Sequence, residues 1–485
     1  MNSTLITWSQ LPPILPELII LATACTVLIL GLFLKSDKGG LLVLTSIVGV
    51  VFAAIATAKS HMGAHELSKQ VLFNGNFVRD YMGDILKIAV YVIMLFVFIY
   101  AKQYLRNKNI FKGEFFALML FGMLGIMIMI SGYDYITLYV GLELLALSSY
   151  ALVAYDRDNA RSNESAMKYF ILGAIASGML LYGMSMIYGA TGTLQINQIS
   201  TAVAQSDNNL LVVFGLVFIM VGVSFKLGAA PFHMWVPDVY QGAPTATTLF
   251  ISSAPKIAAF AFAIRILAQS LDGILAHWQP IVVVIALASI IIGNLFALQQ
   301  TNIKRLFAYS TISHIGFMLL GFLGGMDGYS ASMFYIITYA LMSVAGFGMI
   351  IVLSCKGFEA EDISDFKGLN QRNGWFAFMM LLIVASMAGF PPLVGFFSKL
   401  YVLKAVVDQG YYVLAGVAVV FAVIGSFYYL RLIKTMYFDE SESDQEITAG
   451  FDVKSILSFN AILQLALLLF IPSILSYCVR AIASL

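Results

Sequence analysis

Apolar runs of about twenty residues, separated by short polar connections, recur along the whole chain. Each is long enough to cross the ~30 Å hydrocarbon core of a bilayer as an α-helix. The pattern predicts fourteen spans, at roughly 14–34, 40–58, 81–101, 114–131, 134–155, 165–189, 210–230, 245–268, 281–298, 304–323, 330–354, 374–408, 411–433 and 455–479. The twelfth is too long for one straight crossing and holds Gly389-Phe390-Pro391-Pro392, so it should form two helical pieces around a break. The seventh runs into a similar break, Gly228-Ala229-Ala230-Pro231. Between spans 2 and 3, Phe73-Asn74-Gly75-Asn76-Phe77 carries an Asn-Gly turn and reads as a short hairpin.

The fold class expected is an all-α polytopic membrane protein. Interrupted helices at matching positions of two halves mark a transport site in an inverted-repeat protein. Spans 7 and 12 are both interrupted and lie five apart, so spans 4–8 and 9–13 read as two inverted five-helix repeats. The organisation is then an N-terminal three-helix segment (1–113), a first repeat (114–268), a second repeat (281–436) and a C-terminal helix (455–485). Residue similarity between the halves is weak, and the repeat rests on the pattern of breaks.

Charge sets the orientation. Lysines and arginines gather after spans 1, 3, 5, 9, 11 and 13, whereas the loops after even spans hold only Lys59, Lys69 and Arg79. Positive loops stay in the cytoplasm, which puts both termini outside. The first apolar run has no lysine or arginine before Lys35 and exceeds a signal-peptide core, so it reads as a retained helix.

Composition agrees with the hydropathy. Only 11% of the 485 residues are charged and 60% are hydrophobic, against about 25% charged in a soluble domain. The net charge of +1 argues against a nucleic-acid partner. Cys25, Cys355 and Cys478 are scattered and show no metal or redox spacing. There is no P-loop and no dinucleotide fingerprint, and a lone intramembrane histidine cannot supply both axial ligands of a b-type haem. The loop from Asp439 to Glu446 is acidic and reads as a solvated loop, with a basic partner surface as the alternative.

The candidate chemistry lies in the charges inside the spans, because ionisable groups in a bilayer are expensive and usually functional. Glu143 stands nine residues after Asp134, about 14 Å deep in its helix. Lys226, Lys256 and Lys399 fall near the middles or breaks of their spans, and His314 falls halfway along span 10. Lys168 is a few residues into span 6, while Lys87 and Arg265 are near enough to span ends to snorkel. Buried salt bridges that only fix packing are the bland reading, but such pairs are weak stabilisers against apolar replacements. A row of buried groups suits proton relay better. His233 and Asp238 flank the first break, with loop capping and proton entry both open.

The stretch VSFKLGAAPFHMWVPDVYQGAPTATTLFISSAPKIAAF resembles the N-type antiporter-like membrane subunits of proton-pumping NADH:quinone oxidoreductase, respiratory complex I, a family that includes mitochondrial NADH dehydrogenase subunit 2. GLELLALSSYALVAY, NESAMKYFILGA, NLFALQQTNIKRLFAYSTISHIGFML and AGFPPLVGFFSKLYVL extend the likeness from span 4 to span 13. The resemblance implies fourteen helices, two inverted repeats and no cofactor in this chain; NADH, FMN, iron–sulfur clusters and quinone would sit in other subunits. It implies that Glu143 pairs with Lys226, that Lys256 and Lys399 continue a central proton path, and that Lys168, His233 and His314 assist. The partners implied are other membrane subunits of the complex, notably subunit M and the small ones, within a bacterial inner membrane. Rival readings are an Mrp-type cation/proton antiporter subunit, a haem- or quinone-binding redox subunit, and a structural spacer.

Overall fold

The computed structural model describes residues 11–34, 39–63, 69–205, 210–354, 358–441 and 450–485. His65, Cys355 and the acidic stretch from Glu442 to Glu446 lie outside these residues, as does the side chain of His61.

Helices α1 (Leu11–Phe33) and α2 (Gly39–Gly63) form the first hairpin. Strands β1 (Gln70–Leu72) and β2 (Phe77–Arg79) follow, pairing antiparallel with Val71 opposite Val78. The turn between them has Asn74 and Gly75 at φ 56° and 95°, the left-handed conformation that an Asn-Gly pair supplies at low cost. Next come α3 (Tyr81–Asn107), α4 (Gly113–Ser131), α5 (Tyr135–Val153) and α6 (Ala160–Thr191). A short helix that the hydropathy did not announce, α7 (Ile196–Gln205), buries Ile196, Ile199 and Val203 along one side.

The seventh span is α8 (Leu210–Leu227), broken before α9 (Trp235–Gly242). The eighth differs from the single helix expected. It is α10 (Thr245–Ile251), an interruption at Ser252-Ser253, α11 (Ala254–Ala263) and a wider π-helical turn, Ile264–Ser270. Pro255 causes the restart, since it sits in the first turn of α11, where its missing N–H costs nothing. The chain continues through α12 (Leu275–Leu298), α13 (Ile303–Leu320), α14 (Gly325–Leu353), the short α15 (Leu369–Arg372), α16 (Gly374–Ala388), α17 (Val394–Asp408), α18 (Tyr412–Tyr437), α19 (Phe451–Ala466) and α20 (Ile471–Ala483). Among the described residues thirteen helical segments are long and apolar enough to span, and α16 is a shorter apolar helix.

Burial locates the axis. The span from α10 to Ser270, together with α13 and α14, is buried along nearly its whole length, whereas α1, α6, α18 and α19 keep a face outward. Lys87 and Arg265 do not snorkel. Lys87 Nζ sits 2.5 Å from Glu17 of α1, and Arg265 holds Asp80 at 2.5 and 2.9 Å as well as the carbonyl of Ile130. All four side chains are buried, because partners from distant parts of the sequence neutralise the charge inside the protein.

Candidate functional site

The two breaks share a backbone plan. Each follows Gly-x-x-Pro: α8 ends at Gly228 (φ 78°) ahead of Pro231, and α16 ends at Gly389 (φ 89°) ahead of Pro392. Both prolines follow a cis peptide bond. A helix that stops inside a protein leaves carbonyls without partners, and its C-terminus carries partial negative charge. Here lysines fill that role. Lys256 Nζ, from α11, donates to the carbonyl of Leu227 at 2.7 Å. Lys399 Nζ, from α17, donates to the carbonyls of Ala388 at 2.8 Å and Met387 at 3.3 Å. Each ammonium also faces an aromatic ring, Trp235 for Lys256 (5.1 Å) and Phe317 for Lys399 (5.4 Å).

Glycine is required at both breaks. Besides the positive φ, a Cβ on Gly228 would lie 2.7 Å from Val236 and 3.2 Å from Lys256 Nζ. On Gly389 it would lie 3.1 Å from Lys399 Cδ. The correspondence between the halves lies in glycine, proline and capped carbonyl. It does not pair Lys226 with Lys399, which stand on opposite sides of their breaks: Lys226 precedes Gly228 by two residues, and Lys399 follows Gly389 by ten.

Lys226 is buried in the last turn of α8, and its Nζ has no hydrogen-bond or ion-pair partner among the described residues. It lines a small cavity with Glu143, Tyr150, Tyr169 and Ser177. Glu143 is half-buried on α5, the helix that Asp134 caps through the N–H of Ile136 at 2.8 Å. Its Oε1 accepts a hydrogen bond from Ser177 of α6, which also lies 3.2 Å from the Tyr139 hydroxyl. The structure thus brings Glu143 and Lys226 to one cavity without a direct contact.

His314 is buried on α13 between two tyrosines. Its Nδ1 is 2.7 Å from the Tyr335 hydroxyl and its Nε2 is 3.3 Å from that of Tyr429, which also bonds Ser310. Asn294 reaches Ser313 at 2.9 Å and Tyr428 at 3.3 Å. The axis therefore holds Lys256, His314 and Lys399 among hydroxyls and open carbonyls, all able to donate or accept protons.

Lys168 is exposed and pairs with Glu164 (2.8 Å) and Asp238 (2.9 Å), not with Glu143. Asp238 also takes Arg305 at 2.8 Å, so it ties α9 to α6 and α13. His233 is half-buried in the break, with Nδ1 unpartnered.

A second charged cluster escaped the sequence reading. Glu359, in the connection after α14, takes Lys108 at 2.6 Å, Lys304 at 3.7 Å, the Tyr104 hydroxyl at 3.0 Å and the Thr245 hydroxyl. Glu361 takes Lys304 at 2.7 Å and Arg161 at 3.0 Å. Tyr104, Lys108, Arg161, Lys304 and both glutamates line a polar cavity. Nothing in the local sequence GFEAED marks it, since the partners come from four distant segments. Among the described residues no cluster of three or more His, Cys, Asp or Glu could hold a metal ion.

A bundle of membrane-spanning helices, two of them broken at lysine-capped carbonyls, with a buried histidine bonded to tyrosines fits the antiporter-like membrane subunits. The family described as NADH:quinone oxidoreductase/Mrp antiporter, TM, matches residues 132–425. NADH-quinone oxidoreductase subunit N of Methylovorus glucosotrophus is 51% identical over 98% of each chain. A chain of respiratory complex I from Thermus thermophilus, solved with bound aureothin, superposes with a TM-score of 0.80 at 26% identity over 95% of this chain and 98% of that one. A chain of the Mrp complex from a Dietzia species shares the fold, with a TM-score of 0.86 at 22% identity over 98% and 97% of the two chains. The chain belongs to the NADH-quinone oxidoreductase subunit N family, and is thereby a membrane subunit of that enzyme complex.

Proposed function

We propose that this subunit carries protons across the membrane through Glu143, Lys226, Lys256, His314 and Lys399, driven by quinone reduction elsewhere in the complex. The observation that supports it best is the pair of ammonium groups at the carbonyl ends of two interrupted helices. Glu143 and Lys226 share a cavity, so moving the carboxylate towards or away from the ammonium loads or unloads its proton. Lys226 passes the proton to Lys256, transfer through His314 reaches Lys399, and exit is to the outer face. His233 and Lys168 assist at the other end. Moving one charge costs about 2.3 kcal/mol per 100 mV, which a pKa change of one or two units at about 1.4 kcal/mol each can supply.

The two halves act as inverted repeats joined at this axis, with residues 1–113 and 455–485 as flanking segments. The chain holds no redox centre of its own; NADH, FMN, iron–sulfur clusters and quinone belong to neighbouring subunits. Its partners are the other membrane subunits, in particular subunit M and the small ones, in a bacterial inner membrane. Both termini face outward by the loop-charge bias. In keeping with this, the C-terminal Leu485 accepts from Lys69 beside the hairpin at 2.6 Å, placing them on one face.

The rival cation/proton antiporter reading rests on a likeness of fold at 22% identity, whereas the subunit N likeness is 51% identical over 98% of the chain. The test is NADH-driven acidification in vesicles carrying the assembled complex. Glu143→Ala and Lys226→Ala should each lower proton pumping; pumping at the unmodified level in either would overturn the relay.

A further inference from the structure

We propose that one face of α14, carrying Tyr335, Tyr339 and Ser343, is the hydroxyl bridge by which protons cross from the Lys256 side of the axis to His314. The proposal rests on the relay reading above. The three residues are spaced by four, so they form a single stripe along the helix. Tyr335 OH is 2.7 Å from His314 Nδ1. Tyr339 OH donates to Thr311 of α13 at 2.7 Å. Ser343 Oγ donates to Ser252 at 2.8 Å. Ser252 occupies the interruption between α10 and α11, four residues before Lys256. The stripe thus runs from a contact with Ser252 at one end to a contact with His314 at the other.

The pattern differs from ordinary hydroxyl use in a membrane helix. There Ser and Thr often bond the carbonyl four residues back, as Ser46, Ser148 and Ser149 do in this chain. Tyr339 and Ser343 instead reach side chains on neighbouring helices. Hydrogen bonds between helices also hold membrane bundles together; this stripe in addition runs between the neighbourhoods of Lys256 and His314. A fourth hydroxyl, that of Tyr240 on α9, is fully buried beside Tyr339 and Thr311. It adds one more hydroxyl beside the midpoint of the stripe. A hydroxyl that accepts a proton on its oxygen and releases its own on the far side ends unchanged, so the bridge moves charge without being consumed.

The experiment uses the assembled complex in native membrane vesicles, with Tyr339→Phe, Ser343→Ala and Ser343→Thr. Turnover coupled to proton translocation, and its solvent deuterium isotope effect, are read per assembled complex. Tyr339→Phe and Ser343→Ala should each slow turnover about tenfold, the loss of about one hydrogen bond of 1.4 kcal/mol. Each should raise the isotope effect, and Ser343→Thr should restore both readings. A purely structural role would change the amount assembled and leave the isotope effect alone. Should Tyr339→Phe fail to assemble, Ser252→Ala beside Ser343→Ala decides. Lys256→Met separates this proposal from the relay. If Lys256→Met abolishes pumping while the hydroxyl variants turn over with an unchanged isotope effect, the bridge is wrong and the relay stands. If Lys256→Met itself pumps normally, the relay falls first.

Discussion

Lys256 Nζ donates a 2.7 Å hydrogen bond to the carbonyl of Leu227, and so closes the last turn of a helix belonging to another span. Lys399 does the same for Ala388 across the second break. A cation at a helix C-terminus is favoured by about 0.3–1 kcal/mol at a surface and up to ~2 kcal/mol when partly buried. The charge on each lysine and the closed end of each broken helix therefore stabilise one another. Removing the proton weakens the contact, which links protonation to the shape of the break.

Gly228→Ala and Gly389→Ala should disturb that contact from the glycine side. A left-handed φ costs an L-residue roughly 1–2 kcal/mol, and the added carbon meets Val236 and Lys256 in one case and Lys399 in the other. Both variants should lower the thermal midpoint of the complex and its proton-coupled turnover. Gly416→Ala is the control, since a carbon there meets nothing within 4 Å. It should leave both quantities unchanged or slightly raise stability.

The Asp80–Arg265 pair predicts a purely structural loss. Arg265→Leu leaves a buried carboxylate unpaired, which costs about 3–5 kcal/mol. Denaturation of the purified subunit should show a loss of that size. Adding Asp80→Leu should recover part of it and no more, because Asp80 also caps α3 through the N–H of Gly83 at 2.8 Å. Full recovery in the double variant would mean that the cap contributes nothing.

Glu359 gives a pH dependence with a definite sign. Burial alone would raise its carboxyl, but the charges of Lys304 and Lys108 and the hydrogen bonds from Lys108 and Thr245 outweigh it and push the pKa down to about 2. A carboxyl depressed in the folded state stabilises above its unfolded value, near 4.5, and that stability fades as pH falls towards 2. Glu359→Gln should cost on the order of 3 kcal/mol at neutral pH. Thermal melts of the two proteins should converge between pH 4.5 and 2; a constant gap across that window would rule out ionisation as the source.

The spans and both Gly-Pro breaks were legible because hydropathy and helix-breaking residues act locally. Lys226, Lys256, Lys399, Glu143 and His314 stood out as costly charges in apolar runs. What the lysines bind was not legible, since Leu227 and Ala388 offer backbone carbonyls that any residue carries. The partners of Lys87 and Arg265 were hidden for another reason. Glu17 and Asp80 lie about 70 and 185 residues away in sequence, and only packing brings them together. The interruption at Ser252-Ser253 had a signal in Pro255, which an apolar run on both sides concealed.

Protons translocated per electron, measured on the assembled complex with Lys256→Met and Lys399→Met, decide most directly whether the capped lysines carry protons. Both variants should assemble and show a lower ratio, because an apolar side chain of similar length fills the space and carries no proton. An unmodified ratio in the assembled complex would show that the lysines serve only as helix caps.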